Sequence, residues 1–102
     1  MQQSISEAMY YILLSLLQPA YGYEMMKGIK ELSGGRIEMG PGTMYGIISR
    51  MKKDGLIEQG TMNNDDRRKI YLLTEEGREV LVNEYKRLKL LVKDGECLED
   101  LL

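Results

Sequence analysis

Hydrophobic residues at the start of the chain recur at the spacing of one helical face. They stand at positions i, i+3, i+4, i+7, i+8, i+11 and i+12, namely Ile5, Ala8, Met9, Ile12, Leu13, Leu16 and Leu17. Such a pattern predicts an amphipathic helix whose apolar stripe is buried against the rest of the domain. Pro19 is expected to end this helix, because proline lacks the amide hydrogen that a helix interior needs.

A second helix is predicted from about Gly22 to Leu32. The glycine pair at positions 34 and 35 is expected to stop it, since glycine readily takes the left-handed conformation found after a helix. Its inward-facing residues are predicted to be Met25, Ile29 and Leu32.

The third predicted helix lies in the stretch GPGTMYGIISRMKKDGLIEQG, residues 40–60. Pro41 suits the first helical position, where a missing amide hydrogen costs nothing. Gly55 suits the left-handed position that follows the last turn. The buried stripe of this helix is predicted to consist of Met44, Ile47, Ile48 and Met51.

After Gly55 the hydrophobic period changes from that of a helix to that of strands. The segments LIEQGTM (56–62) and RKIYLLT (68–74) predict two short strands, which the polar turn NNDDR (63–67) joins into a hairpin. Thr74 suits the N-cap of a long last helix, because Glu75 and Glu76 follow it where the helix dipole favours negative charge. The acidic tail from Asp94 is expected to fray.

The predicted order is therefore helix, helix, helix, hairpin, helix, in a mainly α fold with a small β-hairpin. Three short helices followed by a hairpin describe a winged helix-turn-helix, in which the third helix can enter the major groove of DNA. We expect residues 1–74 to form a DNA-binding domain and residues 75–102 to form a C-terminal dimerisation helix and tail. The N-terminal helix is expected to share in dimer formation.

With its apolar stripe buried, the third helix presents a polar face outward. Arg50 and Lys53 can reach phosphates or a guanine edge, and the hydroxyl groups of this face can bond phosphate oxygens. Backbone amides at the helix N-terminus add an anion site that needs no side chain. Gly46 has two interpretations: close approach to a nucleic-acid backbone, or tight packing against another helix. The face consists of Thr43, Gly46, Arg50 and Lys53, flanked by Gly42, Tyr45, Ser49 and Lys52.

Three consecutive cations stand at the base of the predicted hairpin, within reach of a phosphate backbone. They are Arg67, Arg68 and Lys69, and Asp65 and Asp66 beside them partly offset their field. The whole chain has a formal net charge of −2, but residues 1–74 carry nine basic and eight acidic side chains, net +1, whereas residues 75–102 carry net −3. The last helix is therefore a poor surface for DNA.

The composition excludes much enzyme chemistry. The 102-residue chain has no His and one Cys, so a His-dependent triad, a His-ligated metal and a four-ligand zinc site are ruled out. It also lacks a phosphate-binding loop and a dinucleotide-binding motif. We therefore expect no enzyme activity, no metal and no cofactor. The lone Cys97, the lack of an apolar run of about 20 residues and the lack of a basic leader favour a cytoplasmic protein with no membrane segment.

The last helix carries an apolar seam whose members step by four, three and four residues. Such heptad-like spacing points to a partner helix. A second copy would also double the phosphate contacts that one weakly charged chain can make. We therefore predict a homodimer. Its interface is predicted to contain Ile5, Met9, Ile12 and Leu13 from the first helix, and Leu81, Tyr85, Leu88 and Val92 from the last.

Three segments of the chain resemble the PadR-type transcriptional regulators of the short kind with one C-terminal helix. They are YGYEM (21–25), GPGTMYGIISRMKKDGLIE (40–58) and RRKIYLLTEEGREVL (67–81), in the order and spacing of that family. The resemblance covers about residues 8–82 and implies a bacterial or archaeal homodimer, in most cases a repressor, with a winged-helix DNA-binding domain. It supports as DNA-side positions Tyr23, Pro41, Gly42, Thr43, Tyr45, Arg50, Arg67, Arg68 and Lys69.

Three positions depart from the pattern of that family. Tyr21 stands where His is usual, which removes any pH-sensitive role there. Gly40 replaces the common Ser or Asn, so the third helix loses a side-chain N-cap worth about 1 kcal/mol. Gly46 occupies a site often filled by Pro, which leaves that helix face barer.

The sequence leaves the effector open. The resemblance implies that small aromatic or drug-like compounds release some members from DNA by binding an aromatic pocket between subunits, but this chain has no Trp and no Phe. A Met or Leu stripe at helical spacing is typical of a core or an interface, so we predict no specific ligand. The candidates for an effector site are Met9, Leu13 and Tyr85.

Two alternatives to a DNA-binding repressor stay open: a winged helix used for protein interaction, and a dimer that binds small hydrophobic molecules without binding DNA.

Overall fold

The computed structural model describes residues 5–60 and 69–102, and the turn predicted at residues 63–67 lies outside them. The elements follow in the order α1 (Glu7–Leu14), β1 (Ala20–Tyr21), α2 (Gly22–Leu32), α3 (Pro41–Lys53), β2 (Ile57–Gly60), β3 (Ile70–Leu73) and α4 (Glu75–Asp94), with a short 3₁₀ helix at Glu96–Leu101. Three helices, an antiparallel strand pair and a long last helix confirm the predicted mainly α, winged-helix fold.

α1 is shorter than its apolar stripe predicts. The Ser6 hydroxyl caps its first turn, but the helix ends at Leu14. The chain then turns ahead of Pro19, because a residue that precedes proline avoids the helical conformation. Leu16 stays buried in this turn, whereas Leu17, predicted to lie in the buried stripe, is 53 % exposed.

A third strand, which was not predicted, completes the sheet. β1 pairs antiparallel with β3, with Ala20 opposite Tyr71, and β2 pairs with the other side of β3, with Ile57 opposite Leu73. β3 is thus the central strand of the three. Two residues between two helices carry no readable alternation of hydrophobic and polar positions, so no periodicity could reveal β1.

α2 has the predicted bounds, but one of its three inward residues faces solvent. Met25 and Ile29 are buried, whereas Leu32 is 58 % exposed. The residue buried at this end of α2 is Ser33. Its hydroxyl donates a hydrogen bond to the Lys30 carbonyl and accepts one from the Ile37 amide, so it bonds backbone groups on both sides of the turn. The pair Gly34–Gly35 then takes φ values of +62° and +85°, which let the chain reverse toward α3.

α3 supplies the centre of the core. Met44, Ile48 and Met51 are fully buried, as predicted, and Ile47 is partly buried. Gly55 follows the helix with φ +79°, also as predicted. Flexible methionine side chains suit such a site because they fill irregular space between elements. The large fully buried side chains are those of Ile12, Leu13, Leu16, Met25, Ile29, Met44, Ile48, Met51 and Ile57.

Thr74 joins the end of α3, the base of the β2–β3 pair and the start of α4. Its hydroxyl accepts a hydrogen bond from the Gly77 amide (2.9 Å), which confirms the predicted N-cap, and donates to the Gly55 carbonyl (2.7 Å). Its amide donates to the carbonyl of Leu56 (3.1 Å). A Cβ at Gly77 would overlap that Leu56 carbonyl oxygen and lie 2.9 Å from Leu73 Cδ1, so close packing requires the glycine.

The acidic tail, expected to fray, forms a 3₁₀ helix instead. The Leu98 amide donates to the Gly95 carbonyl (2.9 Å), and the Leu102 amide donates to the Glu99 carbonyl (3.3 Å). Such local bonds between residues three apart are those of a 3₁₀ helix. The tail is therefore built by its own backbone rather than by packing.

We expect Thr74→Ala to lower the free energy of unfolding by about 1–2 kcal/mol, because loss of an N-cap hydroxyl leaves an amide of the first turn of α4 without its partner. Chemical denaturation followed by circular dichroism measures this change. Thr74→Ser keeps the hydroxyl and serves as the matched control, which should retain most of the wild-type stability. Equal stability of the Ala variant and the wild type would contradict the role assigned to Thr74.

Candidate nucleic-acid interface

One side of α3 is open to solvent along its whole length. We call this surface the α3 face; its residues are Pro41, Gly42, Thr43, Gly46, Ser49, Arg50 and Lys53, all of them exposed. Tyr45 borders it and is 41 % exposed. α3 has three cations in its last turn and no acidic residue, so the helix carries a net charge of +3. A basic, exposed helix side opposite an apolar stripe suits contact with a polyanion.

The N-terminus of α3 carries no side-chain cap. Gly40 occupies the N-cap position and forms no side-chain hydrogen bond, as predicted. Pro41 stands at the first helical position. The backbone around Gly42 and Thr43 therefore presents amides at the positive end of the helix dipole, next to the exposed surface. Such an arrangement can bind a phosphate group through the main chain alone.

Gly42 and Gly46 are glycines that the fold itself does not require. Neither has a positive φ. Within residues 5–60 and 69–102, no atom outside the glycine's chain neighbours and the nearby backbone of α3 lies within 4 Å of a Cβ built on either glycine. The interpretation of Gly46 as a tight packing point against another helix is therefore wrong for the described part of the chain. Gly46 thus costs roughly 1 kcal/mol of helix propensity with no packing gain inside the protomer.

Tyr45 leans from the α3 face toward the sheet. Its ring centroid lies 6.4 Å from that of Tyr71 on β3, and its hydroxyl adjoins Gly22 at the start of α2. Burial, with a smaller contribution from Tyr45, raises the pKa of the Tyr71 phenol. Tyr23, the next residue of α2, is 56 % exposed and stacks on Tyr21 with the ring planes 4° apart. The structure thus brings the start of α2 beside the α3 face.

The antiparallel strand pair β2–β3 belongs to the predicted wing. The Lys52 ammonium donates to the Gln59 side-chain oxygen (2.7 Å), so the last turn of α3 is tied to β2. Lys69, just before β3, is exposed. Arg67 and Arg68 lie outside the described residues, and their place in a nucleic-acid interface stays a prediction.

Some residues predicted to form the dimer interface are buried inside the protomer, and others keep exposed surface. Ile12, Leu13 and Leu81 are buried inside the protomer, so their assignment to an interface between subunits is wrong. The reason is that α1 packs on α4 within one chain and uses these side chains for its own core. Five predicted seam residues keep some exposed surface: Ile5, Met9 and Leu88 are partly buried, and Tyr85 and Val92 are exposed.

The distal half of α4 and the tail expose apolar surface that was not predicted. The exposed leucines there are Leu90, Leu91, Leu98, Leu101 and Leu102. Leu91 follows Leu88 by three residues, so helical spacing was the signal that could have found it, whereas Leu98, Leu101 and Leu102 lie beyond the end of α4. In the part of the chain that the structure describes, no helix is both long and apolar enough to cross a membrane.

An open groove of about 780 Å³ runs along α4. The Lys89 ammonium lies over the Tyr85 ring, 5.6 Å from its centroid. Of the three candidates for an effector site, Tyr85 lines this groove and Met9 packs against the core. The assignment of Leu13 to an effector site is wrong, because Leu13 is fully buried. The groove lining includes Tyr10, Tyr85, Lys86, Leu88, Lys89, Val92 and Lys93.

Comparison with known proteins agrees with this geometry. The family model described as "Transcriptional regulator PadR-like family" matches residues 12–83, from within α1 to the first half of α4. The chain belongs to this PadR-like family. No curated protein matches the PadR-like chain closely enough to be reported as a relative.

Several solved structures, among them PadR family regulators, share the fold of this PadR-like chain. A PadR family transcription regulator from Clostridium difficile R20291 is 28 % identical, with a TM-score of 0.76 over 94 % of this chain and 98 % of that one. One from Eggerthella lenta is 29 % identical, with a TM-score of 0.68 over 87 % and 74 %. BpsR of Bordetella bronchiseptica, whose DNA binding is regulated by 6-hydroxynicotinic acid, shares the fold at 17 % identity, with a TM-score of 0.70 over 88 % and 64 %. Family and fold together support a DNA-binding transcriptional regulator.

Glu84 of the PadR-like chain is a buried carboxylate that sequence patterns do not reveal, because glutamate on a helix is usually solvent-exposed. It is 3 % exposed and accepts hydrogen bonds from Arg87 Nε (2.5 Å) and Nη2 (2.9 Å). The bonds from Arg87 lower the pKa of Glu84, although burial alone would raise it. The backbone of Ile5 makes a smaller contribution that lowers the pKa of Glu84. Glu84 thereby fixes Arg87 in the middle of α4, beside the segment before α1.

Glu84 makes the stability of the PadR-like chain depend on pH. Because its folded pKa lies below the ordinary value of 4.5, the carboxylate stabilises the fold above that value and ceases to do so as pH falls through the folded pKa. Glu84→Gln should therefore unfold at lower urea concentration than the wild type at pH 7, and the difference should shrink toward pH 3. Glu79→Gln, an exposed carboxylate of the same helix, is the control. A difference that does not change with pH would contradict this assignment.

Proposed function

We propose that this PadR-like chain is a homodimeric, sequence-specific regulator that binds double-stranded operator DNA and acts as a repressor. The observation that carries the proposal is the α3 face, which is exposed, basic and bare of side chains at two glycines. A helix side of this kind fits the major groove, where the base edges can be read.

The roles of individual residues follow from their chemistry. Arg50 and Lys53 contact phosphates or a guanine edge, and the first-turn amides of α3 hold a phosphate. The hydroxyls of Thr43 and Ser49 bond phosphate oxygens, Tyr45 borders this surface with the exposed side of its ring, and Tyr23 approaches the same strand from α2. In the wing, Arg67, Arg68 and Lys69 neutralise the neighbouring backbone.

The dimer forms through α4 in this proposal. Tyr85, Leu88 and Val92 retain exposed surface, and Leu91 extends the same seam. An apolar helix side that its own protomer leaves uncovered is typical of a subunit interface. In a two-fold dimer the two α3 helices would lie about 34 Å apart and read a pseudo-palindromic operator.

We place an effector, a small hydrophobic or aromatic molecule that releases the dimer from DNA, in the groove along α4. The groove offers Tyr10, Tyr85 and Val92 to such a molecule. The regulation of BpsR by 6-hydroxynicotinic acid supports a small-molecule effector for a protein of this fold. Tyr85 and Val92 also belong to the proposed dimer surface, so the effector would lie between the subunits and change their relative placement rather than compete with DNA for the α3 face.

The proposal is tested by fluorescence anisotropy on duplex from the chain's own upstream promoter, against scrambled duplex, over a salt series. We expect tighter binding to the promoter and two chains per site, with affinity falling steeply as salt rises. Arg50→Ala should weaken binding and reduce the slope of log K against log salt by about one for each chain, because one phosphate contact is lost. Arg78→Ala removes an exposed arginine of α4 and should leave the slope unchanged.

Several outcomes of the anisotropy experiment would contradict the proposal. If neither duplex is bound at low salt, the DNA-binding function is wrong, and a protein-interaction module or a hydrophobic-ligand dimer takes its place. One chain per site would contradict the dimer. An Arg78→Ala effect equal to that of Arg50→Ala would mean that binding depends on total charge rather than on the α3 face.

Gly46→Ala tests whether Gly46 is required for the stability of the fold or for DNA binding. Since the position is open, the alanine should raise the free energy of unfolding by up to about 1 kcal/mol. It should also weaken promoter binding, because a methyl group would stand between the helix and the groove. Gly28→Ala adds a methyl group at an open site of α2 and should stabilise the protein without changing DNA affinity. Unchanged binding by Gly46→Ala would show that DNA does not approach the helix there.

A further inference from the structure

Gly22 opens α2 and is buried, but its backbone does not need a glycine, since its φ is not positive. A glycine is needed at this position because of the neighbouring Tyr45 side chain. A Cβ built at Gly22 would overlap the Tyr45 hydroxyl oxygen and lie 2.7 Å from Cζ and 3.1 Å from Cε1 of that ring. Real Cβ atoms do not approach ring carbons so closely. The end of the Tyr45 ring therefore occupies the space that any side chain at position 22 would fill.

The Tyr45 ring has a second neighbour and one open side. The ring of Tyr71 on β3, whose residue is only 4 % exposed, lies 6.4 Å away between centroids at an angle of 51°. Tyr45 itself is 41 % exposed, and it is a residue of α3 that borders the α3 face. A ring pushed away from Gly22 can move only toward the open side, because well-packed neighbours such as Tyr71 yield little.

We infer that Gly22 is a positioning residue of the DNA surface: the missing side chain leaves a seat for Tyr45, which holds the ring against the sheet and clear of the space that DNA would occupy. The inference rests on the proposed function and adds to it a residue that does not contact DNA. It also gives the segments YGYEM and GPGTMY a direct physical connection, since the glycine of one receives the last tyrosine of the other.

The chain provides a matched control for this role. Gly28 is a second glycine of α2, and among the described atoms none lies within 4 Å of a Cβ built there. Gly28→Ala therefore makes the same chemical change in the same helix without touching an aromatic ring. Any effect on DNA affinity that Gly22→Ala shows and Gly28→Ala does not show arises from position 22.

The experiment is a double-mutant cycle on promoter duplex at low salt, with Gly22→Ala, Tyr45→Ala, the combined variant and the Gly28→Ala control. We expect Gly22→Ala to weaken binding about tenfold, which lies within the coupling range of residues in contact. In the Tyr45→Ala background the same substitution should change affinity less than about twofold, because no ring remains to be displaced. Thermal unfolding of all variants accompanies the binding data and should show that Gly22→Ala is folded.

Each other outcome overturns the inference or supports it. Wild-type affinity of Gly22→Ala, or an equal loss with and without the Tyr45 ring, would overturn the role of Gly22 and leave the proposed function intact. If Gly22→Ala does not fold, a folded combined variant would support the seat, whereas an unfolded one would overturn it. Failure of the wild type to bind either duplex would overturn the proposed function and this role together.

Discussion

The hydroxyl of Thr74 holds together the parts of the molecule whose relative placement matters. It bonds the Gly77 amide at the start of α4 and the Gly55 carbonyl at the end of α3, at the base of the wing. Both glycines permit this approach, Gly55 through its left-handed backbone and Gly77 because any side chain would collide with Leu56. The directions of α3, the wing and α4 are therefore set at one partly buried junction.

α3 combines a fully buried stripe with an outer side that is poorly made for helix stability. Met44, Ile48 and Met51 fix the helix in the core. Gly46 costs about 1 kcal/mol, and Gly40 in place of a capping side chain costs a few tenths of a kcal/mol more. A domain of 102 residues has a small core to offset such costs. Local rules that are broken together on one exposed surface are typical of a functional site rather than of the fold.

Periodicity and punctuation residues predicted most of the fold. Pro41, Gly55 and Thr74 marked real helix ends because the physics of these residues acts locally. The prediction that Leu17 and Leu32 face the core was wrong, because their burial depends on the path of the whole chain rather than on local physics. A period indicates which side of a helix is apolar, but it does not indicate where the chain turns away from the core, and both residues stand at such turns.

The candidate site was predictable where it depends on one helix, and not where two segments meet. The spacing of exposed residues along α3 identified its outer face. The contact between Gly22 and Tyr45 joins residues of two different helices, and no pattern within either segment indicates it. For the same reason Ile12 and Leu81 were assigned to a subunit interface, since an apolar stripe does not specify whether its own chain or a second copy covers it.

The rest of the protomer covers only the first half of α4. The 20 residues of α4 span about 30 Å at 1.5 Å per residue, but its buried residues extend only to Glu84, and Val92 is 71 % exposed. Glu84 also lies beside the segment before α1, and Ile12 of α1 packs in the same core as α3. In the proposed dimer, a partner that displaces the exposed end of α4 acts on a helix whose covered half packs on α1. The displacement would then reach α3 through α1 and the core, because close-packed interiors transmit strain.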